Sequence, residues 1–219
     1  MTNAHPPLEV RVQGEFACFT RPEMKVERVT YPVITPSAAR GVLEAIFWKP
    51  QFRWRIEEVA VLKPVRYFSI LRNEVSSRQS DRSARGWQRA GEGGYDAAGD
   101  RTQRHTLALR EVDYVIRAQV ELQPDATDDV AKYRDQFRRR VRDGHCFATP
   151  FLGNREFSAH FFEPDGSELP IEWTDDLGLM LYDIDYHADG SGRGTPRFFH
   201  AQVEGGVLRI PASPDDGGS

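Results

Sequence analysis

The chain has 219 residues, enough for one large domain or a domain with a small annex, and for a core of ordinary size. It has no run of eighteen apolar residues to span a membrane, no basic-then-apolar signal segment in Met1–Pro7, and only two cysteines, Cys18 and Cys146, without CxxC spacing. A reduced cytoplasm is the expected home, with both thiols buried and unbridged. The net charge of −4 hides a division: residues 1–155 hold 26 Lys and Arg against 20 Asp and Glu, and residues 156–219 hold 3 against 13. The basic body suits a phosphate backbone, and the acidic remainder suits solvent or a protein partner.

Leu8, Val10, Val12, Phe16 and Cys18 alternate with Glu9, Arg11, Gln13 and Glu15, which predicts a half-buried strand. A helix follows over 35–49, with Thr35 as its cap, Pro36 in its first turn and Pro50 as its stop. Ala39, Val42, Leu43 and Ile46 share its buried face; Arg40, Glu44 and Phe47 lie on a flank open to a ligand. The apolar run Val59–Leu71, broken by Pro64, predicts a bent second strand. Residues 74–104 lack periodicity, carry five glycines, and read as a long mobile insertion. Alternation resumes from Thr106 to Leu122.

A second helix is expected over 128–142, capped by Thr127 and ended by Gly144, with Val130, Tyr133, Phe137 and Val141 on its apolar stripe. A last strand covers 145–162, interrupted by Gly153, where a bulge or close backbone approach is expected. The order βαββαβ is a ferredoxin-like split unit, with sheet order 4-1-3-2, within an α+β fold. Cys18 and Cys146 then lie near one another. Residues 163–219 read as a small C-terminal antiparallel β-sheet domain with strands over 177–186, 196–203 and 207–210, a hairpin at Glu204–Gly206 and a frayed tail from Pro211.

The segments Tyr31–Pro50, Val61–Pro64, Ser69–Glu74, Arg101–Arg104, Leu109–Tyr114 and Pro150–Phe157 together, and in this order, resemble the CRISPR-associated Cas-five family, in its subtype I-C (d, or Dvulg) branch. The resemblance implies a ferredoxin-like endoribonuclease that cuts CRISPR repeat RNA and remains on the 5′ handle with the other subunits of the type I-C interference complex. It also implies that the 74–104 insertion is a thumb gripping that handle. A non-catalytic scaffold subunit is the alternative, as in other branches.

Metal-independent RNA cleavage needs an activated ribose 2′-hydroxyl, cations for the phosphorane, and an acid for the leaving 5′-oxygen. No carboxylate cluster or His/Asp spacing suggests a metal cage, and no cofactor is expected. The family's aromatic position falls on Phe47 and its Lys-His pair on Lys132 and Tyr133. Phe47 cannot move a proton, and Tyr133 is a poor base as well as a member of the apolar stripe. His145 and His105, both in basic surroundings, are reserve candidates. The expected RNA contacts are Arg40, Arg78, Arg82, Arg85, Arg101 and Arg104, then Arg134, Arg138, Arg139 and Arg142 along one helix, and Arg155. Trp87 and Tyr95 are available for stacking. The arginine-rich surface extends the expectation to double-stranded DNA.

Overall fold

The structure, a computed structural model, describes residues 5–77 and 80–214. In chain order these form β1 (Leu8–Ala17), β2 (Arg28–Val29), α1 (Pro36–Ile46), β3 (Phe52–Val61), β4 (Tyr67–Val75), α2 (Asp81–Ala90), β5 (Arg101–Leu122) and α3 (Val130–Arg142). The chain then adds β6 (His160–Phe162), β7 (Asp175–Tyr186), β8 (Gly194–Glu204) and β9 (Val207–Arg209). The strands make one sheet in the order β6-β1-β5-β3-β9-β8-β7, with β2 and β4 also paired to β5. Its first four members stand in the expected 4-1-3-2 order, β6 antiparallel to β1.

Helix α1 forms as its sequence dictates. The Thr35 side chain accepts from the Ala38 amide, proline occupies the first turn, and Pro36, Ala39, Val42, Leu43 and Ile46 are buried. Helix α3 starts later than expected: Asp129, not Thr127, is the cap, accepting from the Ala131 amide at 2.7 Å. Its stripe of Tyr133, Phe137 and Val141 is buried, and Gly144 follows in the left-handed region. Both helices contribute to one apolar cluster with the sheet, and Phe137 packs on Trp54 with ring centroids 4.7 Å apart. Deleting a buried ring of that size costs about 3–5 kcal/mol, so this face sets most of the local stability.

The second strand begins at Phe52, earlier than expected. Phe52, Trp54 and Ile56 are buried, with Arg53 and Arg55 between them. Pro64 separates two strands and does not bend one: β3 ends at Val61 and β4 starts at Tyr67. Strand β5 is 22 residues long and serves both in turn, pairing its end, 114–122, with β3 and its start, 101–109, with β4. Between the two stretches Glu111 takes a positive φ of 56°. The β4–β5 ribbon therefore runs beyond the core, with α2 near its end; among its described residues the insertion is a hairpin holding a helix. Helix α2 packs no residue into the core, and its helical repeat is carried by Arg82, Arg85 and Arg89 with only Ala84, Trp87 and Ala90 opposite.

Three further expectations are corrected. The stretch before β6 is not strand: only His160–Phe162 pairs with β1, apart from a bridge between Phe151 and Ser158. The Phe147 and Ala148 amides instead bond the Ala45 carbonyl, which holds this stretch against the end of α1. Cys146 is consequently exposed while Cys18 is buried, so the two do not form a buried pair. Finally, the C-terminal strands do not form a sheet apart. β9 pairs with β3 through Val59–Leu208, so β7–β9 extend the main sheet across an edge that would otherwise leave backbone groups open. The hairpin at Gly205 and Gly206 is as expected, both at positive φ. No helix among the described residues is long and apolar enough to cross a membrane.

Candidate nucleic-acid interface

The family-position residues lie where the end of α1 meets α3. Phe47 follows α1 as its C-cap and is 1% exposed. Its ring stands 5.4 Å from that of Phe52, which stands 5.2 Å from Tyr133. Arg140, from the last turn of α3, lies over Phe47 at 5.6 Å and donates to the Ile46 carbonyl at 3.1 Å. Tyr133 is 3% exposed, so its ring belongs to the core. The Lys132 side chain, 62% exposed, points to solvent from the first turn and donates to Asp128 at 2.8 Å. The Tyr133 hydroxyl donates to the same carboxylate oxygen at 3.4 Å.

This arrangement assigns protonation states. The bond to Asp128 raises the Lys132 ammonium above its ordinary value, and the same bond lowers the Asp128 carboxyl. Burial, with the Asp128 charge beside it, raises the Tyr133 phenol. At neutral pH Lys132 is a cation and Tyr133 a neutral phenol. Neither is a base, so this end can supply positive charge and hydrogen-bond donors but cannot take up a proton.

The reserve histidines lie elsewhere. Ten residues of helix, about 15 Å, separate Lys132 from Arg142, and His145 lies beyond that end. His145 is exposed, with its amide on the Arg140 carbonyl. His105 is exposed on the ribbon, opposite Leu71. The three proton-transfer candidates are not brought together.

The arginines sort by partner. Arg134 does not share a solvent face with Arg138 and Arg142 as spacing alone suggests: it is 2% exposed, donating to Gln119 at 3.1 Å and to the Pro6 carbonyl. Burial lowers its guanidinium pKa. Arg40 is tied to Asp183 of β7 and lies 3.5 Å from Glu44, so its flank is not free. Arg138 and Arg142 are exposed and paired to Asp135 and Asp143. Arg104 stands 3.6 Å from Glu74, in a cluster where Arg28 and Arg72 also meet Glu74 and Glu156.

Among the described residues, Arg82, Arg85, Arg101, Arg139 and Arg155 are exposed without a side-chain hydrogen bond or ion pair. Arg78 lies outside the described residues. Trp87 is half-buried against the Gly93 turn, where any Cβ would strike its ring. Gly153 does permit a close approach: at φ 84° it sits against the Cys18 carbonyl, with no room for a Cβ. The same turn leaves Arg155 exposed.

Sequence reasoning missed Asp128 as the carboxylate shared by Lys132 and Tyr133, although its i,i+4 spacing to Lys132 was a usable signal. It also missed two exposed rings beside α1, Trp48 at 53% and Phe147 at 85%. Their exposure has no local signature.

A curled, mostly antiparallel sheet with two helices packed into its apolar cluster and a projecting ribbon defines an α+β build. A solved structure described as a CRISPR-associated protein aligns at TM-score 0.67 and 22% identity, covering 99% of this chain and 98% of that one, a likeness of fold. A family model described as CRISPR-associated protein Cas5, of the Cas5d type, matches residues 7–211. The chain belongs to the Cas5d family. It is 45% identical to the CRISPR pre-crRNA endoribonuclease Cas5d of Thermus thermophilus, across 94% of this chain and 91% of that one. To the protein of the same name from Mannheimia succiniciproducens it is 42% identical, across 93% and 94%.

Proposed function

We propose that this protein is a metal-independent endoribonuclease that cuts CRISPR precursor RNA within the repeat and stays on the 5′ handle as a subunit of the type I-C interference complex. The observation that carries the reading is identity of 42–45% over nearly the whole length of two relatives named pre-crRNA endoribonucleases. The ribose 2′-oxygen attacks phosphorus as the bond to the 5′-oxygen breaks. One proton leaves the 2′-hydroxyl and one reaches the 5′-oxygen, giving a 2′,3′-cyclic phosphate and a 5′-hydroxyl. Lys132, held cationic by Asp128, supplies charge to the phosphorane, and positioning of the 2′-hydroxyl replaces a strong base. The uncommitted arginines of α2, the ribbon and the Gly153 turn hold the handle, with residues 74–104 as its grip.

The burial of Phe47 and Tyr133 favours one other reading, a handle-binding scaffold without catalysis. Incubation with the cognate repeat RNA in EDTA separates the two. Cleavage to a cyclic-phosphate product, slowed roughly 10²-fold or more by Lys132→Ala, is the expected result. No cleavage by the wild type leaves the scaffold. Cleavage indifferent to Lys132→Ala moves the centre away from α3's first turn.

A further inference from the structure

Beyond the C-terminal end of α3 lies a cleft of about 550 Å³ lined by Gln136, Arg139, Arg140, Gly144, His145 and Cys146. Arg139 is exposed and uncommitted, and no side-chain bond holds His145. The next residue after the cleft, Phe147, is 85% exposed. Its position is nonetheless fixed: its own amide and that of Ala148 both bond the Ala45 carbonyl, at 2.8 and 3.1 Å. Trp48, also exposed, leaves the same end of α1. Phe147 follows directly on the cleft that Arg139 lines, and its amide bond to Ala45, with the Arg140 bond to the Ile46 carbonyl, ties that cleft to the end of α1 that Trp48 leaves. Solvated rings and an unpaired guanidinium on one such tied surface suit a single-stranded nucleic acid, because every base has a face to stack and every phosphate a charge to pair. At this end of α3, Arg139, Arg140 and Arg142 stand against Asp143 alone, and a net basic rim with solvated aromatic faces suits RNA, which offers phosphates and bases together.

We propose that the His145–Ala148 turn and α3's last turns form a nucleotide subsite for single-stranded repeat RNA. In it one base stacks on Phe147, the neighbouring base meets Trp48, and Arg139 pairs the phosphate between them, with Gln136 and His145 as hydrogen-bonding groups at the cleft wall. The subsite rests on the RNA-processing reading above, and lies at the opposite end of α3 from Lys132. It therefore binds RNA flanking the cut and does not cut it.

The test uses the full chain and repeat RNA carrying a 2′-deoxyribose at the scissile position, with 2-aminopurine placed at each position in turn. Wild-type protein quenches the fluorophore at one or two adjacent positions, and Phe147→Ala removes that quenching alone. Phe147→Ala weakens binding roughly 5- to 150-fold, the range one base–aromatic stack supports; Arg139→Ala lowers the salt dependence of binding. Both side chains are solvent-exposed, so the variants fold, which an unchanged melting temperature verifies. RNA bound with every signal unchanged in Phe147→Ala overturns the subsite and leaves the RNA reading intact. Phe147→Ala that spares RNA affinity but breaks association with other complex subunits also overturns it, making the patch a protein interface. Failure of the wild type to bind repeat RNA at all removes the underlying reading.

Discussion

Arg134 shows how little helical spacing says about a charge. It shares a face with Arg138 and Arg142 at four-residue intervals, yet the Gln119 side chain and the Pro6 carbonyl take it into the interior. Removing it leaves those acceptors unpaired and opens a cavity. Arg134→Ala should lose about 2–5 kcal/mol in urea unfolding, and Arg138→Ala, solvated beside Asp135, should stay within about 0.5 kcal/mol. Equal losses at both positions would place Arg134 outside. The catalytic position repeats the lesson. Tyr133 was legible as a stripe residue and is a core ring, whereas Lys132 was legible as off-stripe and is exposed. Asp128 bonds both: its i,i+4 spacing to Lys132 was legible, and its bond to the buried Tyr133 hydroxyl was not.

Elements with a buried face were legible, and those without one were not. Helix α1 appears in the sequence down to its cap because Ala39, Val42, Leu43 and Ile46 repeat with the helical period. Helix α2 buries nothing: Arg82, Arg85 and Arg89 repeat along one face, but Ala84, Trp87 and Ala90 opposite them make too short an apolar stripe to mark a packed helix, despite Ser80 at its N-cap and Gly91 at its end. A helix that short, without tertiary packing, is marginal in water. Its amides at 84–90 should therefore exchange near the unprotected rate in the free protein and slow at least about tenfold when repeat RNA binds, read by hydrogen exchange. Protection already present without RNA would mean the helix stands by itself, and Arg82 and Arg85 would then be preset and not ordered by the ligand.

At the scale of the molecule, the composition break near residue 160 suggests a second domain, and the sheet argues against independent folding. β9 closes the β3 edge, and Met180, Phe199, Val203 and Leu208 share one apolar cluster with Ile46 and Val59. Thermal unfolding of the full chain should show a single transition, with the calorimetric and van't Hoff enthalpies equal. Two resolved transitions would restore a separately folding 163–219 unit.

The sequence by itself determined the alternating β1, the two core helices, the Gly205–Gly206 hairpin, and the family, through blocks kept in order along the chain. Each of these depends on backbone geometry or residue order within a few positions, which a linear string records. The tertiary structure alone decided that Arg134 and Arg40 are committed, that residues 145–149 stay out of the sheet, and that Phe147 is held out in solvent. Those outcomes hang on partners such as Pro6, Asp183 and Ala45, about 100 or more residues away in each case. A buried charge or a solvated ring is set by what the fold brings to it, and the neighbouring sequence carries no trace of that.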